Sequence, residues 1–248
     1  ITLTKDGVEF LSYARQVVEQ TNLLEERYKS HTETRELFSV SSQHYAFVVN
    51  AFVSLLKRAD MTRYELFLRE TRTYEIIEDV KNFRSEIGVL FLNGYNRDVL
   101  TKMFDDNRLT YTSLFKARPH IFVSKSNPLA KHKVVSLEDL EDFPYLSYDQ
   151  GIHNSFYYSE EILSQIPHKK SIVVSDRATL FNLLIGLDGY TIATGILNSN
   201  LNGDNIVSIP LDVDDEIDIV YLKHQKATLS KMGEKFLDNL VKEVTFDN

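Results

Sequence analysis

Short apolar strands alternate with stretches of helical spacing along most of this 248-residue chain, and such an alternation restricts the fold to layered α/β architecture. Glu36-Leu37-Phe38-Ser39-Val40 reads as a buried strand. Ser41-Ser42-Gln43 then offers N-cap chemistry ahead of a helical run from Tyr45 to Lys57. The spacing predicts a second strand from Tyr64 to Arg69, a helix from Thr73 to Phe83 and a third strand from Glu86 to Leu92. The pattern restarts with a strand from His120 to Val123, a turn at Asn127-Pro128, and Ser136 with Asp139 as a short N-cap signal before Leu140. Strands are then predicted from Pro144 to Tyr148, Ser171 to Val174 and Tyr190 to Ile196, with helices from Ser155 to Leu163 and Ala178 to Ile185. The tail predicts strands from Ile206 to Leu211 and Ile217 to Leu222, then a helix from Ser230 to Val241. Two α/β halves of similar size follow, and no repeat or low-complexity segment interrupts them.

Ahead of this body lies a different pattern. Phe10, Ala14, Val17, Thr21, Leu24 and Tyr28 follow a 4-3-4-3-4 spacing that puts all six on one seam, with charges such as Glu9, Arg15 and Glu19 on other faces. A stripe this narrow, followed by polar Lys29 to Thr34, reads as a long helix paired with another helix; a surface helix packed on its own domain is the alternative. The runs Tyr45 to Leu56 and Leu180 to Ile185 are apolar around most of the cylinder. One sheet covers one face, so either a subunit interface or the core must cover the other.

Composition removes whole classes of function. With 28 basic against 36 acidic residues the net charge is -8, which opposes the phosphate neutralisation that DNA binding needs. There is no cysteine, hence no disulfide framework, thiolate metal site or cysteine nucleophile. Seven scattered histidines lack metal-ligand spacing, and the acidic run Asp212, Asp214, Asp215, Glu216 and Asp218 lacks a calcium-loop glycine, so neither metal nor cofactor is expected. No glycine-flanked serine, phosphate loop or paired carboxylates announce catalysis, and the chain does not read as an enzyme. No stretch approaches the ~20 apolar residues of a membrane span, and the start lacks a signal-peptide layout; the expectation is a cytoplasmic chain without a membrane partner. It opens on Ile1, without Met and on a helix already under way, and so reads as a piece of something longer, a processed secreted protein being the alternative.

Leu3-Thr4-Lys5-Asp6-Gly7-Val8-Glu9-Phe10-Leu11 with Tyr13-Ala14-Arg15 resembles the junction of LysR-type regulators, where a threonine and glycine lead from a winged helix-turn-helix into a linker helix. Glu86-Ile87-Gly88-Val89-Leu90 is similar to that family's acidic-apolar strand, and His120 to Val123 through Asn127-Pro128-Leu129-Ala130 to its entry into the second subdomain. Asp139-Leu140 and Pro144-Tyr145-Leu146 follow in order. Gly186-Leu187-Asp188-Gly189-Tyr190-Thr191-Ile192 resembles its glycine-rich turn, with Asp188 as an insertion between the glycines. The resemblance implies a two-lobed, periplasmic-binding-protein-like effector domain (type 2) preceded by a long linker helix. Its expected parts are a linker and dimerisation helix over 1–30, lobe I over 31–118 and 213–248, and lobe II over 119–212. It implies a homodimer or homotetramer, a small-molecule effector, and promoter DNA reached only through a domain preceding Ile1.

In open α/β sheets ligands bind beyond the carboxyl ends of strands. Ser41, Ser42 and Gln43 follow the first strand and open a helix, where free N–H groups and small hydroxyls suit an anion, or simply cap the helix. Thr71 and Arg72 follow the second strand; Asn93 follows the third, Tyr148 to Gln150 and Asn154 an early strand of the second half, and Ser175 with Asp176 a later one. Ser41, Ser42, Gln43, Thr71 and Arg72 are therefore expected on one side of a small polar effector, plausible as an anion, with Asn154, Ser175 and Asp176 on the other. Arg72 as a merely solvated cation and Asp176 as a helix cap are the plainer readings. An extracytoplasmic solute-binding protein shares the implied fold, as does a two-lobed enzyme, and the seam helix is what separates a dimeric regulator from both.

Overall fold

Ile87-Gly88-Val89-Leu90-Phe91-Leu92 is apolar without alternation, the pattern of a strand covered on both faces. It forms β3 (Ile87–Leu92), buried throughout. The computed structural model describes residues 36–58, 64–197 and 204–245, together with residues 4, 6, 7, 10, 11, 13–15, 17–19, 21 and 24. Among them, β3 sits at the middle of a five-stranded sheet in the order β2-β1-β3-β10-β4, where β1 is Glu36–Ser42, β2 Tyr64–Glu70, β4 Leu109–Ala117 and β10 Ile217–His224. β1 runs parallel to β3, and β10 runs antiparallel to both β3 and β4.

A second five-stranded sheet has the order β7-β6-β8-β5-β9, with β5 at His120–Ser124, β6 at Tyr145–Tyr148, β7 at Ser171–Val174, β8 at Tyr190–Ala193 and β9 at Ile206–Pro210. β5 is antiparallel to β8 and β9, while β6 is parallel to β7 and β8. The chain passes from sheet to sheet after β4 and again after β9. These passages are tied together, since Leu211 N donates to Pro119 O at 3.0 Å. This is the two-lobed α/β architecture that the alternation and the resemblance implied.

Helices cover the first sheet: α1 (Ala46–Arg58), α2 (Thr73–Lys81), α3 (Arg97–Asp106) and α5 (Lys231–Thr245). α2 lays Ile76, Ile77 and Val80 on Leu90, Leu92 and Leu222. It lies so close to β3 that a Cβ on Gly88 would stand 2.8 Å from Ile76 Cγ2. The surplus apolar face of α1 is taken up by the core: Phe52 meets Phe236 of α5 with ring centroids 6.4 Å apart, and Phe38 meets the same ring at 5.6 Å. The interface alternative therefore does not apply to this side of α1. In the second lobe α4 (Arg177–Leu187) buries Leu180 and Leu184 but leaves Ile185 and Leu187 exposed.

Three segments depart from the sequence reading. α3 and β4 were not anticipated, because α3 buries only Leu100 and Phe104 and β4 is an edge strand exposed over much of its length. The helix expected from Ser155 to Leu163 is a single turn of 3-10 helix, Phe156–Tyr158. Leu163 takes a φ of 60°, which ends any right-handed helix there. At the turn after α4 the left-handed C-terminal position belongs to Asp188, at φ 51°, and not to a glycine. Gly189 is needed for space instead, since a Cβ there would stand 2.3 Å from Leu146 Cδ1 and 3.0 Å from Pro144 O.

The described residues of the N-terminal segment from Asp6 to Leu24 are helical, and Phe10, Val17 and Leu24 are exposed. Tyr28 lies outside the described residues. Among the described residues no helix is long and apolar enough to cross a membrane.

Phe236 is wholly buried between Phe38 and Phe52, so Phe236→Ala should lower stability by ~3–5 kcal/mol in urea unfolding, the usual cost of an aromatic truncation that leaves a cavity.

Candidate functional site between the lobes

β1 and β2 end side by side, held by Thr71 N donating to Ser42 O at 2.9 Å. Ser41 turns into its own lobe, where its hydroxyl donates to Asp79 Oδ2 at 2.7 Å and meets Ser85 Oγ at 2.7 Å. Ser42 is fully buried, and its Oγ has no hydrogen-bond partner. Gln43 is a bracket within lobe I. Its Nε2 donates to Thr73 Oγ1 at 2.6 Å, and its Oε1 accepts from Tyr45 OH at 2.6 Å and Phe91 N at 3.1 Å. Thr71 Oγ1 donates to Glu75 in the first turn of α2.

Lobe II meets these strand ends with the segment that follows β6. Arg72 Nη2 reaches Asp149 Oδ2 at 2.5 Å and its Nε reaches Asp149 O at 3.1 Å. Thr73 N, one of the N–H groups that the start of α2 leaves without a helical partner, donates to Gln150 Oε1 at 3.1 Å. Gln150 Nε2 in turn donates to Glu160 Oε1 at 3.0 Å. Glu160 Oε2 accepts from His44 N at 2.8 Å and lies 2.8 Å from His44 Nδ1. The His44 ring stacks on Tyr148 with centroids 4.0 Å apart. Beside them Arg177 Nε of lobe II stands 3.2 Å from Glu70 Oε1 of lobe I. Glu161 accepts from Tyr148 N at 2.8 Å through Oε1, while its buried Oε2 has no partner.

Charge is held here against burial. Burial works against the His44 cation, but the hydrogen bond and charge of Glu160, helped by Glu70, outweigh it and leave the pKa above 6.5. Burial raises the Glu70 carboxyl, with Arg177 and His44 pulling the other way. Burial, and then the charge of Glu160, push Glu161 well above the ordinary carboxylate range. Asp149 is lowered by the Gly151 N–H and then by Arg72. The cavity left between the lobes measures about 40 Å³, room for a water or two. His44, Tyr148, Glu160, Glu161 and Arg177, with Thr191 and Thr194, supply most of its polar wall, and Phe91, Phe122 and Leu180 part of its apolar one.

Of the residues singled out in the sequence, Ser42, Gln43, Thr71 and Arg72 stand together at the lobe I edge. Across from them are Asp149, Gln150 and Glu160. Asn154 and Ser175 are exposed, and Asp176 caps α4 by accepting from Thr179 N at 2.8 Å. His44, Glu70, Glu160, Glu161 and Arg177 escaped the sequence reading. Asp149 and Gln150 carried a signal, their position just after a strand; the acidic pair Glu160-Glu161 sat within an expected helix and carried none.

Because the His44 pKa is raised on folding, the charged pair contributes fully below about 6.5 and its contribution is lost as pH rises through the higher folded value. His44→Gln should therefore cost ~1.5–3 kcal/mol at acidic pH, as for a hydrogen bond to a charged group, and less at alkaline pH. Melting temperatures of both proteins across that window check this; a constant difference would show that charge plays no part.

The LysR substrate binding domain family matches residues 41–245 of the chain. A mutant of OxyR from Corynebacterium glutamicum superposes with a TM-score of 0.61 at 13% identity, over 99% of this chain and 76% of that one. Full-length CbnR complexed with its target DNA gives 0.59 at 14% identity, over 98% of this chain and 84% of that one. The effector binding domain of QuiR in complex with shikimate gives 0.55 at 16% identity, over 84% of this chain and 97% of that one. At these identities the solved structures share the fold. No curated protein sequence matches the chain. With the family match running through both sheets and α5, the chain belongs to the LysR substrate binding domain family.

Proposed function

We propose that this chain is the effector-sensing and oligomerisation part of a LysR-type transcriptional regulator, working in the cytoplasm, with a small metabolite bound between the lobes. The observation that carries the reading is the meeting of strand ends from both lobes around a small, partly polar cavity, the place where open α/β sheets receive ligands. The family match supports sensing over catalysis, and the same architecture holds shikimate in QuiR and accompanies DNA binding in CbnR. On this reading the linker helix covers 1–30, lobe I covers 31–118 with 213–248, and lobe II covers 119–212. The crossings near Ala117 to Pro119 and Asp212 to Asp215 are the hinge. Promoter DNA is read by a winged helix-turn-helix preceding Ile1, since the net charge of -8 leaves these residues unsuited to it.

An effector acts by its differential affinity for two lobe arrangements. Ser42 and Arg72, the sequence-derived anchors, are beside the cavity and not in its lining; the proposal keeps them as contacts at its lobe I edge, Ser42 through its unengaged hydroxyl and Arg72 through its bridge to Asp149. A metabolite screen by thermal shift should find a stabilising ligand by mass action. Arg72→Ala should weaken that response by about tenfold or more with the fold intact, Arg72 being part-exposed. Ser42→Leu should weaken it likewise and also lower the melting temperature, since the larger side chain enters a fully buried position. An unchanged titration in both variants would move the site elsewhere.

The proposed assembly is a homodimer or homotetramer using the exposed seam at Phe10, Val17 and Leu24, with the exposed Ile185 and Leu187 of α4 as a second contact. Charges placed at Val17 and Leu24 should shift sedimentation toward monomer, because a heptad seam tolerates few polar groups. A parent chain already monomeric at micromolar concentrations would refute the seam.

A further inference from the structure

Polar groups around the cavity differ in whether they are already engaged. Both cations of its wall are committed: Arg177 to Glu70, with Nε and Oε1 3.2 Å apart, and His44 to Glu160 at 2.8 Å. Glu161 is not. It is almost fully buried, lines the same cavity, gives one oxygen to Tyr148 N and leaves Oε2 without a partner. Its nearest charged neighbour in sequence and in field is another carboxylate, Glu160.

A metabolite anion entering this cavity meets the carboxyls of Glu160 and Glu161, with Glu70 behind them, and finds no cation free of a carboxylate. It surrenders its hydration without repayment. An ammonium finds the reverse, a desolvated carboxyl oxygen whose acceptor capacity is unused, beside a second carboxylate. Burial has pushed the Glu161 carboxyl up, and a cation beside it works against that shift. The remaining wall is mainly apolar, with Phe91, Phe122, Leu180 and Phe181, and Thr191 and Thr194 are its further polar members.

Resting on the reading of this cleft as the sensing site, we propose that its ligand is a small organic amine, with the ammonium on Glu161 Oε2 and the apolar part against Phe91 and Phe122. This departs from the anionic effector that the serines at 41 and 42 suggested in the sequence. Ser41 is spent on Asp79 and Ser85, and the backbone N–H of His44 is already occupied by a carboxylate, that of Glu160. The cavity, partly open and about 40 Å³ in volume, is too small for such a body. Entry therefore requires the lobes to part across the His44–Glu160 contact, which is how occupancy reaches the lobe arrangement.

The test uses the whole chain and three probes of one shape, benzylamine, benzyl alcohol and benzoate, titrated at millimolar concentration by calorimetry and thermal shift. Benzylamine should bind more tightly than the alcohol, and benzoate should give no shift. Glu161→Gln keeps an acceptor for Tyr148 N and should retain or raise the melting temperature while weakening benzylamine by about tenfold or more. Benzoate binding as tightly as benzylamine, no binding by any probe, or an unchanged benzylamine affinity in Glu161→Gln would each overturn the amine assignment. The order of the three probes on the parent chain decides the matter even if the variant fails to fold. A carboxylate ligand from the metabolite screen that is lost in Ser42→Leu overturns the amine but leaves the sensing reading standing; a screen without any ligand removes that reading itself.

Discussion

The carboxylate of Glu160 is buried at the meeting of two lobes and shared among three donors. His44 N and the His44 ring hold one oxygen from lobe I, and Gln150 holds the other from lobe II. A buried charge is tolerated only when paired and hydrogen-bonded, so the closed arrangement depends on all of these partners at once. Gln150 extends the chain of contacts to Thr73 N at the start of α2, and Thr73 Oγ1 passes it to Gln43 and so to β3 through Phe91 N. The hydrogen bonds thus run without a break from the lobe junction to the middle strand of the lobe I sheet.

The fold was legible where a periodicity had a single physical cause. β3 is uniformly apolar because both its faces are covered, and α2 shows helical spacing because one face rests on the sheet. Legibility failed where burial was thin. α3 anchors itself with Leu100 and Phe104, one turn apart, too few for a period to emerge, and β4 alternates weakly because it is an edge. It failed in the opposite direction between Ser155 and Leu163, where consecutive aromatics serve separate contacts: Tyr157 stacks on Tyr95 at 4.8 Å, and Tyr158 OH lies 3.5 Å from Met103 Sδ. Those rings are apolar because lobe I covers them, not because they line a helix.

The same distinction explains the candidate site. The rule that ligands gather beyond strand ends singled out Ser42, Thr71 and Arg72 as candidates, and it pointed toward Asp149 and Gln150, because it depends on topology alone. It did not find Glu160 and Glu161, whose position comes from an irregular segment folding back across the opening. Nor does it tell a hydroxyl facing a ligand from one facing its own lobe; Ser41 and Ser42 are adjacent in sequence and alternate in direction, as strand residues do. One is satisfied internally and the other is not.

A sensor needs two arrangements separated by only a few kcal/mol, since a ligand shifts an equilibrium by no more than its differential affinity. The contacts between these lobes are graded in a way that allows this. Arg72 and Asp149 are each roughly two-fifths exposed, and an exposed pair contributes ~0–1 kcal/mol and yields readily to water. Breaking the His44–Glu160 contact is different, because each partner becomes a desolvated group unless water or a ligand replaces it. Opening is therefore resisted by the buried contacts, His44–Glu160, Thr73–Gln150 and Arg177–Glu70, and the first of these lies on the wall of the cavity. On the proposed reading, a ligand that enters there is placed where it can supply the replacement contacts itself, and that would couple binding to opening without any longer pathway through the protein.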